Sequence, residues 1–319
     1  MEAASQNQQK QLPFFSSFFS KIVPFFLSAL LFLTAFFTLF SPFPLLAFYF
    51  QGNTSLALVV CAALVNAAIV GFLGGPLSSG LYLTLIFPIV VFMPLYLEWS
   101  VKKQKMTLEK TVFFTLLVVI FSGAGLVGAY SLIQKINPWI LFQDQVGLIV
   151  EQLKTWSGGS GADWEVPPEA LKKSLMVELP SGFLVFALLT VSANLVMLLR
   201  MNPKGLMARS GLNPLFLKLW KAPAYLVWPA ILAGATQVLP IPETQAWISA
   251  IGLNVFKVLM AVYGLQGLSV LSFLFARWKV PNLLKLLLFT LFVAFLTPLL
   301  LAVGFFDLWF DFRAKFRQS

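Results

Sequence analysis

The sequence predicts an all-α protein: a polytopic transmembrane helix bundle of about eight long spans, one short broken segment and one interfacial amphipathic helix. Three observations predict it. Of the 319 residues, 59% are hydrophobic and only 11% charged, where a soluble domain carries about 25% charged residues. The hydrophobic residues fall in runs close to the ~20 residues that a bilayer-crossing helix needs. Lys and Arg gather in loops separated by pairs of those runs, as the positive-inside rule requires.

Taken in order, Met1 to Gln11 is polar and Gln-rich, and residues 1–21 are expected to form a disordered polar tail. The membrane domain is expected over 22–306, with 307–319 as a C-terminal tail. The first run, Ile22–Phe40, is too long for a signal-peptide core and lacks a small-residue cleavage site, so it reads as a retained span. Pro44–Phe50 is apolar but far too short to cross alone, and is the short broken segment. Ser55–Leu73, Leu81–Leu97 and Thr111–Ile133 are the next three spans. Segment 134–180 then interrupts the series. In it Trp139, Phe142, Val146, Ile149, Val150, Leu153 and Trp156 recur at helical spacing, with Asp144, Gln145, Glu151 and Gln152 on the other face. This amphipathic helix, with Trp at both ends, is suited to lie in the interface plane. As function it could cover an outward-facing cavity; as structure it is a membrane-hugging connector. Ser157 to Gly161 reads as a flexible linker, and Pro167-Pro168-Glu169 starts a helix leading into Ser181–Leu199. Pro223–Leu239, Trp247–Phe275 and Leu286–Phe305 complete the eight.

Three basic loops fall on one side: Lys102, Lys103, Lys105 and Lys110; Arg200, Lys204, Arg209, Lys218 and Lys221; and Arg277, Lys279 and Lys285. Loop 134–180 is expected on the other. The ends fit less well. If Pro44–Phe50 completes a crossing, Lys10 and Lys21 lie with the basic loops, but Arg313, Lys315 and Arg317 do not.

Composition also excludes chemistry. The sole cysteine, Cys61, lies in an apolar run, and there is no histidine. The commonest zinc ligand, the usual haem ligand and the usual general base are therefore missing. No Ser–His pair or H-E-x-x-H motif can occur. No catalytic residue, metal or cofactor is expected, and the chain reads as non-enzymatic. The net charge of +10 follows from positive loops, and no basic stretch is long enough for a nucleic-acid surface. The lipid bilayer is the expected partner.

Several motifs remain. Gly123-Ala124-Gly125-Leu126-Val127-Gly128 has the G-x-G-x-x-G spacing but sits inside a span, where glycines serve close helix packing. Ala63, Ala67, Gly71 and Gly75 form a small-residue ladder, fitted to an internal helix contact or to docking of another membrane subunit. Asn66, Asn194 and Asn254 sit within spans, as interhelical hydrogen bonds or as ligand contacts. Lys257, three residues after Asn254, is either an intramembrane functional charge or a side chain snorkelling to the interface. Asp307 and Asp311 adjoin the last span, where desolvation is costly unless the acids are paired or cap a helix end. At least one is expected to pair with a basic side chain or cap a helix, locking the C-terminus down.

The C-terminal third carries a resemblance. Gly264-Leu265-Gln266-Gly267-Leu268-Ser269-Val270 is followed by Arg277, Trp278, Lys279, Val280 and Pro281, and then by Gly304-Phe305-Phe306-Asp307-Leu308-Trp309-Phe310-Asp311-Phe312-Arg313. This resembles the YybS-like family of bacterial integral membrane proteins of unknown function, with Gln266, Gly267, Asp307, Trp309, Asp311 and Arg313 as motif residues. The approach to a span with Pro223, Trp228 and Pro229 is similar too. That family is distantly similar to the S components of energy-coupling factor transporters, compact bundles that bind vitamins or metal ions. Here Ile22–Leu97 carries the likeness, although the small-residue ladder lies in the second long helix rather than the first. The resemblance implies a multi-pass protein of the cell inner (plasma) membrane that binds or transports a small ligand. The alternative is a scaffold or assembly factor of the cell envelope.

Overall fold

The computed structural model describes residues 22–51, 54–102, 108–158, 167–201 and 220–317, and these contain helices and their connections but no strand. The 1–21 tail, Lys103, Lys105, most of the Ser157–Gly161 linker, and Lys204, Arg209 and Lys218 lie outside the described residues. The helices are α1 (Ile22–Leu33), α2 (Phe43–Phe50), α3 (Leu56–Leu81), α4 (Phe87–Lys102), α5 (Leu108–Gln134), α6 (Pro138–Gly158), α7 (Pro168–Met201), α8 (Val227–Val238), α9 (Ala246–Arg277), α10 (Asn282–Ala294), α11 (Thr297–Phe310) and α12 (Phe312–Arg317).

Among the described residues eight separate long spans are not present. Four helical stretches there are long and apolar enough to cross a membrane: Leu56–Trp99, Glu109–Gln134, Pro168–Met201 and Ala246–Arg277. A fifth arises if α10 and α11, bent by 96°, count as one. Each departure from the expected spans has a local cause. Ile22–Phe40 stops at Leu33, because Ala35 turns to φ 52°, a left-handed conformation that ends a right-handed helix. Ser55–Leu73 and Leu81–Leu97 join through Gly75-Pro76 and a π-helical turn at Tyr82–Ile86. Gly75 has φ 85°, open to a residue without Cβ. A Cβ on Gly71 would meet the Ser79 side chain at 2.9 Å, whereas residues eight apart on a straight helix stand about 12 Å apart. The stretch therefore doubles back at Gly75. Pro223–Leu239 yields only the twelve-residue α8 after a 3-10 turn at Ala224–Leu226. Leu286–Phe305 breaks at Phe295 and Leu296, because Pro298 cannot donate to the carbonyl four residues back and its ring clashes there.

The chain divides into two compact units. Unit 1 comprises the described residues of Met1–Gln134 and Phe186–Asn213. In it α3 packs on α4 and α4 on α5, while short α2 packs on both α3 and α4. An eight-residue helix is only about 12 Å long, and α2 is an internal prop, with Leu45, Leu46, Tyr49 and Phe50 buried. Unit 2 comprises the described residues of Lys135–Val185 and Pro214–Ser319. There α9 is the axis, packed against both α8 and α11. Glycines set the α9–α11 approach. A Cβ on Gly304 would collide with the Tyr263 carbonyl, and one on Gly267 with the Leu300 carbonyl. The expected amphipathic helix is present as α6, with Val146 and Val150 buried and Trp139, Ile140 and Leu148 exposed.

Candidate functional site

The residues that define the C-terminal motif meet in space. Asp307 is fully buried and Arg313 is 1% exposed; Arg313 Nη2 donates to Asp307 Oδ2 at 2.6 Å. Gln266 Nε2 donates to the same oxygen at 3.0 Å. The Phe312 amide donates to Asp307 Oδ1 at 3.0 Å. A buried carboxylate is tolerable only with such paired and hydrogen-bonded company. The network also grips three consecutive residues ahead of α8. Arg313 Nη1 donates to the Trp220 carbonyl at 2.8 Å, Lys221 pairs with Asp311 at 2.8 Å, and the Ala222 amide donates to Gln266 Oε1 at 3.0 Å. Asp311, left-handed at φ 38°, is a residue type that tolerates this conformation, and it closes α11 and opens α12. Its carboxyl is held below the ordinary value of 3.8, chiefly by the hydrogen bond from Lys221. Trp309 stands outside the network, half exposed and packed at a tilt against Phe305 and Phe306.

Asn254 and Lys257 act on α7. Pro180 lies inside that helix and cannot donate to the carbonyl four residues back. Asn254 bridges the backbone beside it: the Ser181 amide donates to Asn254 Oδ1 at 2.8 Å, and Asn254 Nδ2 donates to the Val177 carbonyl at 2.8 Å. The same nitrogen also donates to the Ala250 carbonyl, so both amide hydrogens are committed. One turn on, Lys257 pairs with Glu178 at 2.9 Å.

Asn66 and Asn194 belong to unit 1. Asn66 Nδ2 donates to the Phe25 carbonyl and to Tyr82 Oη. Tyr82 Oη is hydrogen-bonded to Ser28 Oγ, which lies beside Ser41. Asn194 Nδ2 donates to the Leu39 and Thr190 carbonyls, while its buried Oδ1 has no hydrogen-bond partner among the described residues. Within its own unit each asparagine side chain thus holds backbone, and Lys257 is ion-paired with Glu178. In the small-residue ladder, Ala63 and Ala67 are buried, Gly71 faces Ser79, and Gly75 makes the reversal. Of the G-x-G-x-x-G glycines, all within α5, Gly123 abuts Thr84 while Gly125 and Gly128 face open space. Among the described residues, no three of His, Cys, Asp or Glu gather at one place.

A concavity lies elsewhere in unit 2. It is a groove of about 410 Å³ lined by Ala230, Ile231 and Gly234 of α8, Phe256 and Met260 of α9, and Pro298, Leu301, Ala302, Phe305 and Phe306 of α11. Every lining side chain is apolar. The volume falls within the ~300–1,000 Å³ of ligand pockets. Its wall continues into a cluster in which Ala230, Met260 and Phe305 pack with Tyr263 and Trp220. Sequence reasoning missed the groove. The signal present in the sequence was the recurrence at 298, 301, 302, 305 and 306, one face of a helix, but a wholly apolar run hides which face is concave.

The family described as "Predicted membrane protein (DUF2232)" matches residues 22–308. No curated protein and no solved structure matches the chain.

Proposed function

Because the chain belongs to the family of predicted membrane proteins designated DUF2232, we propose that it is a non-enzymatic, multi-pass protein of the bacterial inner membrane that binds a small apolar ligand within the bilayer. The observation that carries this reading is the groove between α8, α9 and α11, lined without exception by apolar side chains. A site for a polar ligand needs a few convergent polar groups. The in-span amides instead hold backbone: Asn254 at Val177, Asn66 at Phe25, Asn194 at Leu39. Binding of a ligand in the membrane agrees with the S-component likeness of the sequence, transposed from a water-soluble ligand to a hydrophobic one. Transport would need a separate energising partner, since no nucleotide-binding motif is present. A scaffold role for Ala63, Ala67, Gly71 and Gly75 has less support, because the two alanines are already buried.

The test is organic extraction of the protein purified in mild detergent, with mass spectrometry of what is released. The parent should release a stoichiometric apolar compound, and Ala302→Trp, which fills the groove from α11, should release less. A folded parent that carries none, or an Ala302→Trp variant that carries as much, would contradict the reading.

A further inference from the structure

The groove has two dissimilar ends, and the difference identifies a ligand class. Along α11 the groove face runs Pro298, Leu301 and Ala302, then Phe305 and Phe306. Trp309 is the next position on that face, and it is 54% exposed. Along α8, read in reverse, the face runs Gly234, then Ile231 and Ala230, and then Trp228, which is 68% exposed. The two tryptophans lie toward the same end, because the residues just ahead of α8 meet those that close α11: Lys221 pairs with Asp311 and Arg313 donates to the Trp220 carbonyl. Trp at the limit of an apolar surface is the ordinary anchor of a membrane–water boundary.

Beyond this aromatic layer the charges begin. Lys221 is paired with Asp311, and Lys221 directly follows Trp220 of the same cluster. Lys315 lies over the Phe310 ring at 5.4 Å and makes no ion pair among the described residues. The inner acid and base, Asp307 and Arg313, neutralise each other, so the unneutralised charge at this end of the groove is positive. Hydrocarbon, then aromatic, then cationic is the order of an amphiphile's chain, its interfacial region and an anionic headgroup.

Building on the reading of the groove as a ligand site, the geometry points to an anionic lipid as its occupant: an acyl chain lies between α8, α9 and α11, and the headgroup meets Lys315 beyond Trp228 and Trp309. A neutral or zwitterionic lipid would fill the groove equally well but gain nothing from the lysine. One basic residue near a membrane surface is worth about a fivefold preference.

The experiment uses the full chain in phosphatidylcholine nanodiscs. One preparation contains phosphatidylglycerol with a diazirine in its acyl chain, and the other contains phosphatidylcholine with the same label. After irradiation, labelled peptides are mapped by mass spectrometry, with exposed Leu287 of α10 as the reference for ordinary surrounding lipid. The anionic probe should label Ile231, Met260 and Phe306 above that reference and more strongly than the zwitterionic probe. Lys315→Gln, a substitution that leaves the buried network intact, should lower anionic labelling about fivefold and leave zwitterionic labelling unchanged. Equal groove labelling by both probes, insensitive to Lys315→Gln, would overturn the headgroup inference while sparing the groove as an apolar site. No labelling of the groove above Leu287 with either probe would overturn both.

Discussion

Gly304 has the strictest requirement of any single position described. A Cβ added there would collide with the Tyr263 carbonyl and the Gly267 amide, backbone that cannot swing aside as a side chain can. Gly304→Ala should force α9 and α11 apart and cost about 3 kcal/mol or more, by the overpacking that such crossings do not absorb. Thermal melting of the detergent-solubilised variant checks this; an unchanged midpoint would mean that the helices separate freely. At Asp307 the consequence is electrostatic. Asp307→Asn removes the carboxylate facing buried Arg313, and breaking a buried pair costs about 3–5 kcal/mol. Asp311 behaves differently, because it and Lys221 are nearly half exposed. Its carboxyl titrates lower when folded than when unfolded. The stability it adds is therefore present above its unfolded value and disappears as pH falls through the folded one. The difference in melting temperature between the parent and Asp311→Asn should be seen at neutral pH and vanish as pH falls below the ordinary carboxyl value and through the lowered folded one. A difference that persists there would assign the effect to the left-handed turn at Asp311 rather than to its charge. That acids beside an apolar boundary need partners was legible in the sequence. Which bases answer was not: Lys221 is far earlier in the chain, and only folding brings it to Asp311.

At the scale of elements, hydropathy located the apolar helices well and their breaks unevenly. The runs on either side of Gly75-Pro76 were separated in the sequence, whereas Leu286–Phe305 was read through its break. Pro298 was nevertheless readable as a breaker, since proline forbids the rung behind it. Ala35 carried no such mark, and nothing in its chemistry explains why α1 stops there. In α7 the proline is accommodated instead. Asn254 reaches across from α9 and bridges Val177 and Ser181 beside the proline, and the helix runs on to Met201. The in-span asparagine was legible as a candidate, but its role depended on a proline in another helix, a pairing that no spacing rule contains. Asn254→Leu should leave the Val177 carbonyl and Ser181 amide without that partner and destabilise the protein by about 1–3 kcal/mol. Pro180→Ala should make that substitution milder, because α7 can then close its own rungs. Melting of the single and double variants tests the coupling; additive effects would show that Asn254 and Pro180 act independently.

For the whole molecule, the family match over residues 22–308 and four or five candidate spans describe a multi-pass helical membrane protein. Composition alone indicated that much, because 59% hydrophobic residues in long runs have few other uses. The groove was not legible, since its lining is no more apolar than the faces around it. Polar and apolar groups divide the labour within the molecule. Polar groups within the helices hold the backbone together, and the groove offers only hydrocarbon contact until Trp228 and Trp309 are reached. An electron cryo-microscopy map of the full chain in lipid nanodiscs tests this division most directly. Elongated, non-protein density is expected between Ile231, Met260 and Ala302, reaching toward Trp309. A groove closed by side chains, or compact density bound instead beside Asn66 or Asn194, would contradict it.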